Sequence, residues 1–309
     1  MSPRDPGERG PEGDRQAAVR ADRRRHDARR GLRARDHEGS AGGTGRVVRH
    51  IADVAGRELR GLFVSPVAYG ILSLFSVLAG IFFIVTLSAF SEWVLRLQQM
   101  QAIEALAQAN LNDGMIAMFY QSMGVVLLFL IPGITMSLFA SEKTNGTQEL
   151  LLTSPLTIWD IVLGKFLAGA IFTTLLVAIV AAYPAVLWIY GNPGPELGKT
   201  ISGLLGLLLV SWTYVSIGAF ASSLTRSQVL AFLLTFVILL MMMFMPAIAD
   251  LGVAGTSEAR DFFRYLSADV HLDQLVRGLV DTKDLAYFAV MIGTFLVFTK
   301  TAVESVRWR

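Results

Sequence analysis

Cysteine is absent from this chain of 309 residues, and histidine occurs four times. The absence of cysteine excludes disulfide bonds, thiolate metal sites, iron–sulfur clusters and cysteine nucleophiles together. The histidines are His26, His37, His50 and His271, and none has the close spacing of a metal-ligand motif. We therefore expect the chain to bind no metal and no cofactor of its own.

Charged residues are also scarce, since they make up 17% of the chain against roughly 25% in ordinary soluble domains. Hydrophobic residues make up 53%, and the mean hydropathy is +0.52. The stretches without any charged residue are 61–91, 114–141, 166–195, 200–225, 227–249 and 285–299. A transmembrane helix needs about 20 mostly apolar residues. The pattern excludes a soluble enzyme and a single-span anchor, and it predicts a polytopic membrane protein.

Residues 1–45 differ in composition from the rest of the chain. They contain 11 Arg and 8 acidic residues but almost no apolar side chains. Such a segment cannot offset its ordering entropy by burial, so we predict a disordered Arg-rich arm ahead of a membrane domain over 46–309. Interleaved acids and the lack of aromatic residues argue against a nucleic-acid partner. The alternative is that translation starts near Val47 or Val48, so that the arm reflects a wrongly assigned start.

A short amphipathic helix is predicted at 51–63, immediately ahead of the first apolar stretch. Its apolar side carries Val54, Glu58, Leu59 and Leu62. We expect this helix to lie in the membrane interface and to end near Ser65-Pro66. Because Glu58 is a charged residue on the apolar side, we expect its carboxylate to extend to water at the helix edge.

Six transmembrane helices are predicted, near 67–90, 115–140, 162–190, 201–224, 228–249 and 284–303. Cytoplasmic loops carry an excess of Lys and Arg, which sets the orientation. The two ends of the domain and the loops after spans two and four carry ten basic residues, against six in the other loops. We therefore place the N and C termini in the cytoplasm. The predicted fold class is an all-α polytopic membrane protein, preceded by an amphipathic interfacial helix.

The predicted spans have no Asp, Glu, Lys, Arg or His in their interiors. Ion-coupled carriers usually place such a residue at mid-membrane depth, so we expect the energy for any transport to come from another subunit. Gly218 and Ser222 in span four have the spacing that allows close helix packing. Pro132 and Pro184 predict bends in spans two and three.

The connection 250–283 between the last two spans is long and contains a group of aromatic residues, Phe262, Phe263 and Tyr265. A short helix at the outer leaflet would bury these rings. A packed external loop is the alternative, and the sequence does not separate the two.

The most informative segment, 136–165, joins spans two and three. Asn145-Gly146 is a turn signal, and Thr147 is suited to cap a short helix that Pro155 would end. This helix would carry three consecutive leucines and an acidic residue on the cytoplasmic side. An exposed apolar ridge favours a protein partner, and leucines buried among lipid headgroups are the alternative.

Four segments resemble the permease subunits of ABC-2 type transporters, and they occur in the family's order. The segments are MSLFASEKTNGTQELLLTSPLTIWDIVLGK (136–165), RELRGLFVSPVAYGIL (57–72), FFRYLSADVHLDQLVRGLVDTKDLAYF (262–288) and TKTAVESVRW (299–308). The chain resembles in particular permeases of the gliding-motility type and of the nitrous-oxide-reductase accessory system. One departure is Asn145, where a basic residue or Ser is more usual.

The resemblance implies a subunit without a catalytic site of its own, in a multi-pass arrangement in the cytoplasmic (inner) membrane. Two copies, or one copy and a homologue, would form an export pathway driven by a cytoplasmic ABC ATPase subunit that binds ATP and Mg. The loop after span two would dock on that ATPase as a coupling element, and the amphipathic helix would make a second contact. The coupling residues implied are Glu142, Gly146, Thr147, Glu149, Leu150, Leu151, Leu152, Ser154 and Pro155. A membrane-anchored auxiliary subunit outside the cell would meet the 250–283 connection.

Two other functions stay open at this stage. One is a self-sufficient secondary carrier or channel, and the other is a non-transporting membrane scaffold of a motility or assembly complex. The sequence does not name a substrate. Ser211, Thr213 and Ser216 are candidates to line a pathway, but uncharged hydroxyl groups specify no ligand.

Overall fold

The structure is a computed structural model that describes residues 48–146, 157–191, 194–251 and 256–305. It separates into two compact units, Met1–His50 and Ile51–Arg309. Only 48–50 of the first unit are described, and they are helical. The arm predicted at 1–45 therefore lies outside the described residues, and the second unit is the membrane body.

The described part of the membrane body is almost entirely helical and contains no strand. Its helices are α1 (51–64 in this unit), α2 (Pro66–Gln99), α3 (Ile103–Gln108), α4 (Ala117–Thr135), α5 (Ser137–Thr144), α6 (Ile158–Tyr190), α7 (Leu197–Leu224), α8 (Gln228–Asp250), α9 (Ser257–Tyr265), α10 (Ala268–Val276) and α11 (Thr282–Ser305). One turn of π-helix, Asn112–Ile116, leads directly into α4. The predicted all-α class is confirmed.

Six segments are long and apolar enough to cross a membrane, as predicted. Spans one to six are Pro66–Gln99, Asn112–Thr144, Ile158–Tyr190, Leu197–Leu224, Gln228–Asp250 and Thr282–Ser305. The buried share of the apolar segment differs among the spans. It is 67% in spans two and four but 11% in span one. Spans two and four therefore form the centre of the body, and the exposed apolar surface of the outer spans is suited to lipid.

Two helix starts at the edge of the bundle follow local sequence rules. Ser65 caps α2, its hydroxyl accepting from Val67 N at 3.3 Å, and Pro66 stands in the first turn, where no N–H is needed. The predicted end of α1 near Ser65 is thereby confirmed. At the start of α6, Thr157 and Asp160 form a reciprocal capping box with N–O distances of 3.2 and 3.0 Å.

A break in span two separates α4 from α5 close to the predicted bend. Pro132 has no N–H to donate, α4 ends at Thr135, and Met136 lies between the two helices. Ser222 of α7 donates to Met136 O at 3.0 Å and accepts from two N–H groups of α5 at 3.1 Å. A hydroxyl from span four thus satisfies backbone groups that the break leaves free in apolar surroundings. By contrast, α6 continues through Pro184 as one helix.

Small residues of α7 allow the two central spans to approach closely. A Cβ atom added to Gly218 would collide with the side chain of Thr135. Closer to the other end of α7, a Cβ on Gly203 would lie 2.6 Å from the ring of Tyr120. The predicted close packing through span four is therefore confirmed.

We name the two ends of the bundle after one residue each. The Glu142 end holds α1, α5 and the connection between spans four and five, because Thr144 donates to the carbonyl of Arg226. The His271 end holds the other three connections between spans. Which side of a membrane each end faces stays a prediction.

The connection between spans five and six forms two short helices at the His271 end. The aromatic residues lie on α9, where Phe262 and Tyr265 are 62% and 49% exposed, so the protein itself does not bury them. It is α10 that packs into the bundle. A Cβ atom on Gly124 of α4 or on Gly206 of α7 would lie 3.2 or 3.1 Å from a methyl group of Leu272. This leucine therefore fills the space between spans two and four.

Candidate functional site

A cluster of four charged side chains joins α1, α5 and α6 at the Glu142 end. At its centre is Lys165 of α6, which is 1% exposed. Its Nζ atom lies 2.8 Å from Glu142 Oε1 and 3.1 Å from Glu58 Oε1, and it donates to Leu138 O at 2.6 Å. These three contacts match the three N–H donors of an ammonium group. Because a buried charge is stable only when it is paired and hydrogen-bonded, Lys165 fixes the three helices relative to one another.

Arg57 completes the cluster on its water-facing side. Its Nη2 atom lies 2.9 Å from Glu58 Oε1 and 3.6 Å from Glu142 Oε1, and 57% of its side chain is exposed. The two cations and two carboxylates sum to zero net charge. The arrangement is therefore suited to holding helices together rather than to binding a free ion.

One expectation from the sequence is wrong at this cluster. The Glu58 side chain does not extend freely to water, because it is only 20% exposed and pairs with Lys165. Span three begins at Ile158, so Lys165 lies in its third turn, near the Glu142 end and away from the middle of the span. The sequence did not show this pairing, because it joins residues that lie far apart in the chain.

Apolar contacts hold α1 against α6 beside the charges. A Cβ atom on Gly164 would lie 2.6 Å from Val54 Cγ1 and 3.2 Å from the carbonyl oxygen of Ile51, so only glycine permits this approach. Val54 is 6% exposed, and Leu59 and Leu62 pack against the main hydrophobic core. The predicted apolar face of α1 therefore packs on the protein. Its predicted place in the membrane interface stays a prediction.

The other side of α5 is fixed to the end of span four. The Nζ atom of Lys143 donates to the carbonyl of Ser223, and Thr144 donates to that of Arg226. Because Glu142 is bound to Lys165, α5 has contacts to both α6 and the connection after α7. The base of the loop that follows, which is the end of span two, is thus bonded to span three and to the end of span four.

The loop itself begins with the predicted turn. Gly146 has φ of +69°, a left-handed conformation that favours glycine, and Asn145 ends the helix before it. Among the implied coupling residues, Glu142 and Gly146 are described. The others, Thr147, Glu149, Leu150, Leu151, Leu152, Ser154 and Pro155, lie outside the described residues, and their role stays a prediction.

Sequence reasoning missed two side chains that organise this end, Lys165 and Ser222. The signal for Lys165 was a single cation next to a long apolar stretch, together with acidic residues at Glu58 on the predicted amphipathic helix and at Glu142 just after span two. Ser222 was recognised only as a small residue, because a sequence gives no sign that a hydroxyl will bond to the backbone of another span.

The hydroxyl groups considered for a pathway do not face one within this chain. Ser211, Thr213 and Ser216 are fully buried, and each donates to a carbonyl of its own helix at 2.7 to 2.9 Å. In the part of the chain that the structure describes, no group of three or more His, Asp or Glu could hold a metal ion.

These features define a polytopic helical membrane protein in which a buried ion cluster anchors the loop between spans two and three. The chain belongs to the ABC-2 family of transporter proteins, whose family pattern matches residues 52–307. The resemblance seen in the sequence is therefore confirmed at the level of the family.

The chain is also similar to a probable multidrug ABC transporter permease, YbhR, of Escherichia coli K12, and to the protein of the same name in E. coli O157:H7. The identity is 33% over 119 residues in both cases. The matched region covers 38% of this chain but only 30% of each relative.

Proposed function

We propose that this chain is the permease subunit of an ABC-2 type transporter and that a separate ATPase subunit moves it through the loop at the Glu142 end. The observation that carries the proposal is the Lys165 cluster, which joins α1, α5 and α6 around the base of that loop. ATP and Mg would bind to the partner, and this chain would perform no hydrolysis.

The contacts at the Glu142 end support a transfer of movement from the loop to the spans. A force on the loop would act on α5, which is bonded to Lys165 in span three and to the end of span four. It would also act on α1, which packs on Gly164 of α6. Since the break at Met136 separates α5 from α4, the part of span two at the Glu142 end can tilt at this break.

Several further features belong to the same proposal. The Glu142 end would face the cytoplasm of a cell with this chain in its inner membrane, in agreement with the excess of basic residues there. A second copy or a homologue would complete the pathway, and the direction of transport would be export. An auxiliary subunit outside the cell would meet α9 and α10.

The experiment that tests the proposal is purification from native membranes in mild detergent, followed by assays of the bound ATPase. We expect an ATP-binding subunit to copurify. Gly146→Pro should uncouple hydrolysis from transport, because proline cannot adopt the φ of +69° at this position. Glu149→Lys should do the same by reversing a charge in the loop, whereas Glu104→Lys, an exposed acid at the opposite end, should have no effect.

Each outcome separates this proposal from its competitors. Normal transport in both loop variants would reject the loop as the coupling element. Transport by the chain alone in liposomes without nucleotide would identify a self-sufficient carrier. Stable association with partners but no ATP-dependent movement of any substrate would identify a scaffold.

A further inference from the structure

A buried histidine and a buried aspartate join α10 to α11 at the His271 end. His271 is 3% exposed and Asp284 is 2% exposed. His271 Nδ1 lies 2.6 Å from Asp284 Oδ1, and its Nε2 lies 2.9 Å from the carbonyl oxygen of Tyr265. The ring of Tyr287 stacks on the imidazole with 3.9 Å between centroids, and its hydroxyl donates to Leu266 O at 2.8 Å.

The geometry determines how many protons the pair holds. A carbonyl oxygen only accepts, so Nε2 must carry a hydrogen. A neutral imidazole then has a lone pair on Nδ1, which cannot face an ionised carboxylate at 2.6 Å without a proton between them. Whether this second proton belongs to Nδ1 or to Oδ1, the pair carries no net charge. Adding a proton would leave one buried positive charge, and removing one would leave one buried negative charge.

The pair holds α10 in place between spans two and four. Two turns of this helix enter the bundle, where Leu272 contacts Gly124 and Gly206 and the backbone of Val276 lies against Gly203. The pair connects α10 to the start of span six. Release of the pair would therefore free the helix that fills the space between the central spans.

The surroundings of the pair make any net charge there unfavourable. The titratable groups around it are Tyr265 of α9, Tyr287 of α11, Tyr214 of α7 and Asp269 of α10 itself. Burial raises the pKa of Asp269, which shows how poorly this region stabilises a carboxylate. Asp284 Oδ2 has no hydrogen-bond partner among the described residues, so the closed arrangement already contains an unsatisfied atom.

We propose that His271 and Asp284 are a positioning pair that keeps α10 closed between spans two and four while they share one proton, and that releases it when the pair gains or loses a proton. This role goes beyond the proposed function, because it concerns the opposite end of the bundle and requires no ATPase. The opening of α10 should therefore increase in two pH ranges, which we call the acid limb and the alkaline limb. One lies on the acid side, where the pair becomes positive, and one on the alkaline side, where it becomes negative.

Thiol labelling of the purified full chain in lipid nanodiscs tests this proposal. The chain has no cysteine, so a single introduced thiol reports without background. Val276→Cys places the thiol on the face of α10 that packs against the bundle, at a position that is 3% exposed. Leu279→Cys, at a position that is 63% exposed just beyond α10, is the matched reference. The ratio of their maleimide labelling rates across pH removes the titration of the thiol itself.

In the wild-type background the ratio should be low in a middle range of pH and should rise on both sides. As the pH leaves the middle range, each pH unit raises the minor charged population by about tenfold, so the ratio should rise by up to a similar factor until the charged form predominates. In Asp284→Asn the alkaline limb should disappear and the acid limb should remain. The amide can donate to Nδ1 of a neutral imidazole, and that pair then has no shared proton to lose.

Two more variants complete the test. His271→Leu should give a high ratio at every pH, because it removes both hydrogen bonds. Asp273→Asn removes a carboxylate from the same helix that pairs with Arg277 and Gln121 at the surface, and it should leave both limbs unchanged. The proposal is overturned if Asp284→Asn keeps the alkaline limb. It is equally overturned if Val276→Cys reacts as fast as Leu279→Cys at all pH values, or if His271→Leu changes nothing.

Discussion

Replacing Lys165 by methionine should weaken the fold more than the loss of any surface ion pair. Methionine has a similar length but no charge, so Glu58 and Glu142 would lose their buried partner. Removal of one member of a buried pair costs about 3–5 kcal/mol. The two carboxylates retain 20% and 17% exposure and keep Arg57 within 2.9 and 3.6 Å. We therefore expect the lower part of that range, about 3 kcal/mol.

The assay is thermal unfolding in detergent, in which the measured quantity is the fraction of protein that stays monodisperse at each temperature. For a chain of this size, about 3 kcal/mol corresponds to a fall of roughly 5 °C in the midpoint. Lys199→Met is the matched control, because Lys199 makes ion pairs with Asp113 and Glu196 that lie largely in solvent. Exposed pairs contribute little, so the control should shift the midpoint far less.

A triple variant separates stability from coupling. Lys165→Met combined with Glu58→Gln and Glu142→Gln leaves Arg57 as the one charge of the cluster, and its side chain is 57% exposed, so stability should recover to within about 1 kcal/mol of the wild type. The link between the loop and the spans would still be weakened, and we expect ATP hydrolysis to stay uncoupled. A Lys165→Met midpoint equal to that of Lys199→Met would refute the account of a buried cluster.

Two further substitutions test the packing around the cluster. Gly164→Ala should lower the unfolding midpoint, because its Cβ would collide with Val54, whereas Gly293→Ala has open space and should be neutral or slightly stabilising. Equal midpoints for these two variants would contradict the close approach of α1 to α6. Ser222→Ala should destabilise the same preparation by about 1–3 kcal/mol, since it leaves backbone groups unsatisfied at the α4–α5 break. Among the described residues the Ser223 hydroxyl bonds within its own helix, so an effect of Ser223→Ala as large as that of Ser222→Ala would contradict the role of Ser222 at the α4–α5 break.

The number of the spans could be predicted because a bilayer requires long apolar helices, but their limits could not, since span one ends at Gln99 and not near residue 90. Long charge-free stretches predicted six helices, Pro132 predicted an irregularity close to the helix break at Met136, and Gly218 predicted a close contact. Local rules also identified the turn at Gly146 and the helix boundary at Ser65. Each of these features depends on neighbouring residues in the chain or on the apolar environment.

The pairings across the bundle could not be predicted in the same way. Glu58 and Lys165 are more than a hundred positions apart, and only the packing of α1 on Gly164 brings them together. His271 was noted only for lacking a metal-ligand spacing, yet it is buried against Asp284. A single sequence gives the chemistry of such residues but not their distances, so the buried charges were taken for exposed ones.

The most direct test of the coupling role determines on which side of the membrane the loop between α5 and α6 lies, and whether the ATPase subunit covers it. A single thiol from Gln148→Cys in the cysteine-free chain can be labelled with an impermeant maleimide in inverted and in right-side-out membrane vesicles. The account predicts labelling only in inverted vesicles, and protection once the ATPase subunit is bound. Labelling in right-side-out vesicles would place the loop outside the cell and contradict the central claim.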